Sequence, residues 1–527
     1  MPGPVTRATA ITNRAKFFRD GRRVMDHLEV VVDSGKIRGR LLERPAGNLR
    51  TWRAIPYAAP PVGPLRFRAP QPVEPWQGTR SAAEFGSPAP QSKGNLDENC
   101  LFLNVLAPNV LAPNVLAPSH TSDEPRPVMV FIHGGAYNGG NPSARMYHGT
   151  SLVERGNIIY VSIQYRLGAL GYLDFSGLST DKRLFESNLG LRDQVFALEW
   201  VQRNIATFGG DPHNVTVFGE SSGANAVTTL MATPAASGLF AQAIAQSPPA
   251  ASAYGKDRAN RWAQEFLEIA QASATDPASW LCSASVDELV DAGEELARRG
   301  ADEEPGTRAF APVVGGDFLP EHPLDVFAAG NAHPIPFLVG SNLHEGRIFP
   351  RFLNILPTDP ERIEKMFSHT SPDVKERALA AYPTYPHRNA AADLGGDITF
   401  WEPAILCAQG HCTVAPTYSY RYDFAPRLLR LLGIGATHAT ELFAVFGRSD
   451  ALIKCLTVFG GRRSLHTVTE TMQNHWLHFA RHGTPGSDWP QYSTANRETM
   501  IFDSTSYVEN DPLADRRRAW IGYQHRR

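Results

Sequence analysis

The chain has 527 residues, 42% hydrophobic and 20% charged, which is enough apolar material for a large buried core. Its 51 basic and 53 acidic residues leave a formal charge of −2 with no long block of one sign, which argues against nucleic acid or a membrane surface as partner. No window approaches the ~18 apolar residues of a membrane span, and five cysteines are too few, and odd in number, for a disulfide framework.

In chain order, residues 1–27 read as an N-terminal tail without the apolar stretch of a secretory signal. A cytoplasmic, reduced protein is expected, with a mitochondrial leader as the alternative suggested by the arginines and scarce acids of this tail. LEVVVDSGKIRGRL (28–41) has the pattern of a β-hairpin, its turn expected at Ser34-Gly35. The prolines of IPYAAPPVGPLRFRAPQPVEPW are too dense for a helix or a central strand. Three tandem copies of Asn-Val-Leu-Ala-Pro start at Asn104, and the extra copies are expected as a surface loop remote from the chemistry. VMVFI (128–132) and IIYVSIQY (158–165) read as buried strands, and LGLRDQVFALEWVQRNIATF (189–208) has helical spacing. VTVFG (215–219) is another strand, followed by a helix from Ser221; AQAIAQ (241–246), PFLVG (336–340) and YSYRYDF (418–424) continue the series. The segments from about 257 to 330 and from about 350 to 415 read as helical insertions. This alternation predicts an α/β fold: a mostly parallel central sheet with helices on both faces and helical cap insertions, forming one domain over 28–510. Residues 511–527 are expected as a C-terminal tail, with the arginines at 516–518 and 526–527 solvated.

The chemistry is expected at GESSG (219–223), which follows the VTVF strand and precedes a helix. A sharp strand-to-helix turn needs small residues two positions either side of a central serine, so that its hydroxyl is lifted clear of the sheet. Ser221 has Gly219 and Gly223 there, whereas Ser222 has Glu220 and Ala224. Ser221 is therefore the candidate nucleophile, and Ser222 the candidate donor of a backbone N–H. A plain glycine-rich turn is the structural alternative. FIHGGAYNGG (131–140) ends another strand, and its small residues let backbone N–H groups approach a developing oxyanion.

FGGDPHNVTVFGESSG resembles the active-site signature of the type-B carboxylesterase/lipase (cholinesterase-like) family of α/β-hydrolases, and ENCLFLNV (98–105) resembles its second signature. RAIPYAAPPVGPLRFRAPQPVEPWQG, NLGLRDQVFALEW, VGSNLHEG, THATELFAVFG and WLHFARHGTPGSDWPQY are similar to further blocks, in the family's order, from about residue 30 to about residue 505. The resemblance implies a triad of Ser221, Glu345 and His438, with oxyanion donors at Gly135, Ala136 and Ser222. It implies that Tyr137, Glu220 and Phe349 line the substrate site, with a partly exposed surface role as the alternative for Phe349. His133 would be structural, His344 would face outward, and Arg66 and Glu98 would form an ion pair. The function implied is hydrolysis of small to medium esters, bulky ones included, through an acyl-serine, with ester and water as the only partners and no cofactor or metal. Transfer of the acyl group to an alcohol is the alternative, and a non-catalytic relative the remote one; oligomeric state and natural ester stay open. Cys100 has no cysteine before it with which to form the bridge of secreted members, and no tryptophan lies between Trp76 and Cys100 to hold a choline headgroup. Pro248 and Pro249 replace the family's glycine after Gln-Ser, stiffening the pocket wall. CAQGHC (407–412) has spacing unlike zinc motifs and is expected as helix with buried thiols.

Overall fold

Short runs of β-branched and aromatic residues, buried on both sides, build the central sheet. The computed structural model describes residues 28–92, 97–109, 124–273 and 275–527. Among them the main sheet has eleven strands: β1 (Arg40–Leu42), β2 (Leu49–Pro56), β3 (Phe102–Pro108), β4 (Arg126–Ile132), β5 (Ile159–Ile163), β6 (Gly210–Glu220), β7 (Gln242–Gln246), β8 (Phe337–Asn342), β9 (Thr417–Tyr422), β10 (Glu498–Phe502) and β11 (Tyr507–Asn510). Their order is β11-β10-β9-β8-β7-β6-β4-β5-β3-β2-β1. The seven strands from β5 to β10 are parallel. Antiparallel strands flank them: β3, β2 and β1 on one side and β11 on the other. Six of the parallel strands, β4 to β9, are as expected; β1, β2, β3, β10 and β11 are additions to the expected series.

Alternation sends successive side chains to opposite faces. Val128, Val130 and Ile132 of β4 join one core with Val215 and Val217, while Met129 and Phe131 join a second with Phe218 and Tyr420. Both faces are thus buried, which is what near-continuous apolar strands require. The chain passes from β4 to β5 on one side and returns to β6 on the other, so strand order reverses between β4 and β6. Ligands in such sheets sit where the carboxyl ends of the strands open at this reversal. Register keeps those ends level: Ile132 pairs with Gly219, Glu220 with Gln246, and Gln246 with Gly340.

Several expectations need correction. The 28–41 hairpin pairs Val32 with Gly35, so its turn is Asp33-Ser34, one residue earlier than the glycine suggested. Ile55 and Pro56 finish β2, and only the following proline-rich segment is a loop, apart from a 3-10 turn at Gly63–Leu65. The first Asn-Val-Leu-Ala-Pro copy is regular strand within β3, its proline at the strand's last position. Beyond Asn109 the further copies fall outside the described residues, as does the N-terminal tail. The basic C-terminal segment is in part packed: Arg516, Arg517 and Arg526 are half-buried, while Arg518 and Arg527 are exposed as expected. Helix Ala514–Ala519 carries Arg516 to Asp397 (3.0 Å), and Trp520 is buried against Phe367. The 407–412 motif ends helix Glu402–His411, where burial raises the Cys407 thiol pKa and His411 contacts the Ile335 carbonyl at 2.8 Å.

Candidate active site

At the end of β6 the chain turns sharply into helix Ser222–Met231, with Ser221 as its N-cap at φ 58° and ψ −127°. Such backbone is costly for a residue with a side chain, roughly 1–3 kcal/mol. It is held by Ser221 N–H donating to Gln246 O and by Asn225 N–H donating to Ser221 O, both at 2.9 Å. The flanking glycines are obligatory. A Cβ on Gly219 would lie 2.5 Å from the Gly223 backbone, and one on Gly223 only 2.1 Å from the Ile132 carbonyl oxygen. Ser222 is committed elsewhere, its hydroxyl accepting from Tyr137 N–H at 3.3 Å.

The loop after β4 lies against this turn. A Cβ on Gly134 would meet Glu220 O at 2.7 Å and Ser221 Cβ at 3.0 Å, so only glycine permits the approach. Gly135, Ala136 and Tyr137 follow with φ of 126°, 54° and 58°. The N–H groups of Gly135 and Ala136 donate to no protein acceptor among the described residues. That of Ser222 opens a helix and is one of the donors any helix start leaves unpaired. His133 is fully buried under the loop, stacked on Tyr165, and burial lowers it to about 4, so it stays neutral. Tyr137 is buried within the loop. Its ring stacks on Tyr172 at 4.0 Å and its hydroxyl donates to Asn225 at 2.6 Å, while Asn225 Nδ2 donates to Pro249 O.

Glu345, fully buried after β8, presents Oε2 to His438 Nδ1 at 2.6 Å. Its other oxygen accepts from Ser247 Oγ and Asn342 N–H, each at 2.6 Å. Asn342 Nδ2 donates onward to Glu441 (2.7 Å), to which Gln246 also donates. His438 Nε2 lies 3.2 Å from Glu220 Oε1, yet neither atom has a hydrogen-bond partner among the described residues. Burial pulls the His438 pKa down, but the carboxylates of Glu220 and Glu345 outweigh it and lift the imidazole to about 9. Burial works against ionisation of Glu220 as well, and the charge of His438 works for it. Phe349 is buried 5.2 Å from the imidazole, not on the surface. His344 does not face out; it contacts Asp393 at 3.2 Å beside Arg347. Arg66 and Glu98 form the expected ion pair, and Arg66 also binds the carbonyls that end helix Pro277–Ser283.

Residues 26–520 match the Carboxylesterase family. The chain belongs to the carboxylesterase family. It is 34% identical over 510 residues to the para-nitrobenzyl esterase of Bacillus subtilis (strain 168), covering 94% of this chain and 98% of that one. It is 32% identical over 492 residues to carboxylesterase 5A of Canis lupus familiaris, covering 85% and 81%. The solved carboxylesterase EST55 of Geobacillus stearothermophilus superposes with a TM-score of 0.79 at 30% identity, over 94% of this chain and all of that one. The fold is the α/β-hydrolase fold, and the family's activity is ester hydrolysis. No helix among the described residues is long and apolar enough to cross a membrane.

Other residues at the site escaped the sequence reading. Ser247 (φ 53°) and Asn342 hold Glu345, and both sit directly at strand ends, the one signal that could have found them. Phe400 stacks on His438 at 4.2 Å from the π-turn Asp397–Trp401, inside a segment read only as helical. Such turns are frequent at functional sites.

Proposed function

We propose that the chain hydrolyses carboxylic esters through an acyl-serine intermediate, with Ser221 as nucleophile, His438 as general base and Glu345 as its orienting acid. The observation that carries this is the 2.6 Å contact of Glu345 with His438 Nδ1, made beside the strained turn that lifts Ser221. Glu345 fixes the tautomer that leaves Nε2 as acceptor, and Nε2 breaks no bond to the protein when it takes the serine proton. Ser221 Oγ attacks the ester carbonyl as its proton passes to Nε2. The unpaired N–H groups of Gly135, Ala136 and Ser222 are suited to the oxyanion; losing one such donor costs on the order of 3 kcal/mol. The tetrahedral adduct collapses, the C–O bond to the alcohol breaks, and His438 protonates the leaving oxygen. Water repeats the sequence on the acyl-serine and releases the acid. Glu220 and Phe349 border the imidazole and would contact substrate, whereas buried Tyr137 would support the oxyanion loop.

Hydrolysis of a short p-nitrophenyl ester by the parent chain, Ser221→Ala and Ser222→Ala tests this. Turnover should vanish in Ser221→Ala and largely survive in Ser222→Ala, whose hydroxyl only accepts from Tyr137. Loss in Ser222→Ala with survival in Ser221→Ala would overturn the assignment.

A further inference from the structure

Both helical insertions send side chains to the wall of the site. Phe400 comes from the second; Arg308 comes from the first, between helix Val286–Glu303 and the short strand Val313–Val314. The guanidinium carbon of Arg308 lies 5.8 Å from the Phe400 ring centroid, and that ring stacks on His438. The cation is therefore two ring contacts from the imidazole. Its backbone N–H donates to Tyr254 Oη at 3.1 Å. Among the described residues, however, its guanidinium meets no carboxylate within 4.0 Å and no hydrogen-bond acceptor.

Among the same residues Arg53 is similarly without an ion pair and lies over the Phe85 ring, but Arg308 stands over a ring that itself stacks on the imidazole. Arg166, Arg347, Arg421 and Arg516 each face an aspartate at 3.0 Å or less, whereas the half-buried Arg308 faces none among the described residues. The titratable groups around Arg308 are the phenols of Tyr137 and Tyr254, which burial keeps protonated and so unable to balance its charge. A guanidinium has five N–H donors and no acceptor. The Phe400 face attracts the cation but satisfies none of those donors, which stay free for a ligand. A planar carboxylate would satisfy two at once.

We propose that Arg308 binds a free carboxylate on the substrate, so that the preferred ester carries a second, anionic carboxyl group within a few atoms of its scissile carbonyl. This rests on the hydrolase reading above. The carboxylate could belong to the acid portion, as in a monoester of a dicarboxylic acid, or to the alcohol portion, as in an acylated hydroxy acid.

The test measures kcat/KM of the purified full chain, Arg308→Met and Arg308→Lys on two ester pairs. Mono-p-nitrophenyl glutarate is set against neutral p-nitrophenyl butyrate, and 4-acetoxybenzoate against its methyl ester. In one pair the parent should favour the carboxylate ester, and Arg308→Met should lower the carboxylate-to-neutral ratio about 10-fold or more. Arg308→Lys should restore part of the ratio, which a merely misfolded variant would not do. The pair that responds assigns the carboxylate to acid or alcohol. A ratio unchanged by Arg308→Met in both pairs overturns the inference while leaving the hydrolase reading intact. A folded parent chain inert toward all four esters overturns the hydrolase reading as well.

Discussion

At the scale of the residue, His438 sits between two carboxylates that do different things. Glu345 holds Nδ1 by a direct hydrogen bond and fixes the ring. Glu220 stands 3.2 Å from Nε2 and acts through charge. Burial favours the neutral imidazole, yet these carboxylates raise it to about 9, and a protonated imidazole cannot accept the Ser221 proton. Activity should therefore rise with pH along a limb set by His438. Glu220→Gln keeps the volume, removes the charge and should move the apparent pKa of that limb in kcat/KM downward by about a unit or more. The pH profile on a neutral ester decides it, since kcat/KM reports the free enzyme; an unmoved limb would mean that Glu220 does not hold the proton on His438. Glu345→Gln offers the ring a carboxamide in place of an acceptor carboxylate. It should cost on the order of 10⁴-fold in kcat with little change in melting temperature.

At the scale of the element, glycine positions decide whether strand and helix can meet. Gly223 opens helix Ser222–Met231 against the end of β4, and an alanine Cβ there would sit 2.1 Å from a backbone oxygen that cannot rotate away. Gly223→Ala should destabilise by about 1–3 kcal/mol and displace the Ser221 turn. Gly300, in helix Val286–Glu303, has nothing within 4 Å of its Cβ position, so Gly300→Ala should stabilise by about 0.5–1 kcal/mol. Opposite shifts of the denaturant midpoint would check both. The Gly219–Gly223 spacing was legible because a steric requirement leaves a local mark in sequence. The six parallel strands β4 to β9 were legible because burial on both faces leaves continuous apolar runs. Strands β1, β2, β3, β10 and β11, at and near the two edges, were not, since they mix polar residues and prolines among their apolar ones. Glu345 and His438 lie 93 residues apart and meet only through the sheet, so their pairing needed the family resemblance. Phe400 and Arg308 reach the site through the packing of the insertions, for which no local pattern exists.

At the scale of the whole molecule, the C-terminus is tied to the active site through one buried carboxylate. Asp397 begins the π-turn that carries Phe400 onto His438, and it accepts from Tyr382 Oη at 2.7 Å and from Arg516 at 3.0 Å. Burial pushes its pKa up to about 7, with Arg516 and Tyr382 restraining the rise. A carboxyl raised in the folded state gives stability that is complete below its unfolded pKa, near 3.9, and declines as pH climbs toward the folded value. Arg516→Met removes the cation, so the folded pKa of Asp397 should climb further and the decline should continue to higher pH. Below pH 7 Asp397 is protonated in both folded proteins, and their stabilities should nearly coincide. Above it the parent ionises beside Arg516, whereas the variant must bury a lone carboxylate or keep its proton. The gap should open there toward about 3 kcal/mol, the loss expected when one partner of a buried ion pair is removed. Melting temperatures of the two proteins from pH 5 to pH 9 test this, and a gap independent of pH would mean that Arg516 holds the C-terminal helix by packing alone. Because Asp397 anchors the turn bearing Phe400, kcat/KM of the variant should fall over the same pH interval in which its stability does.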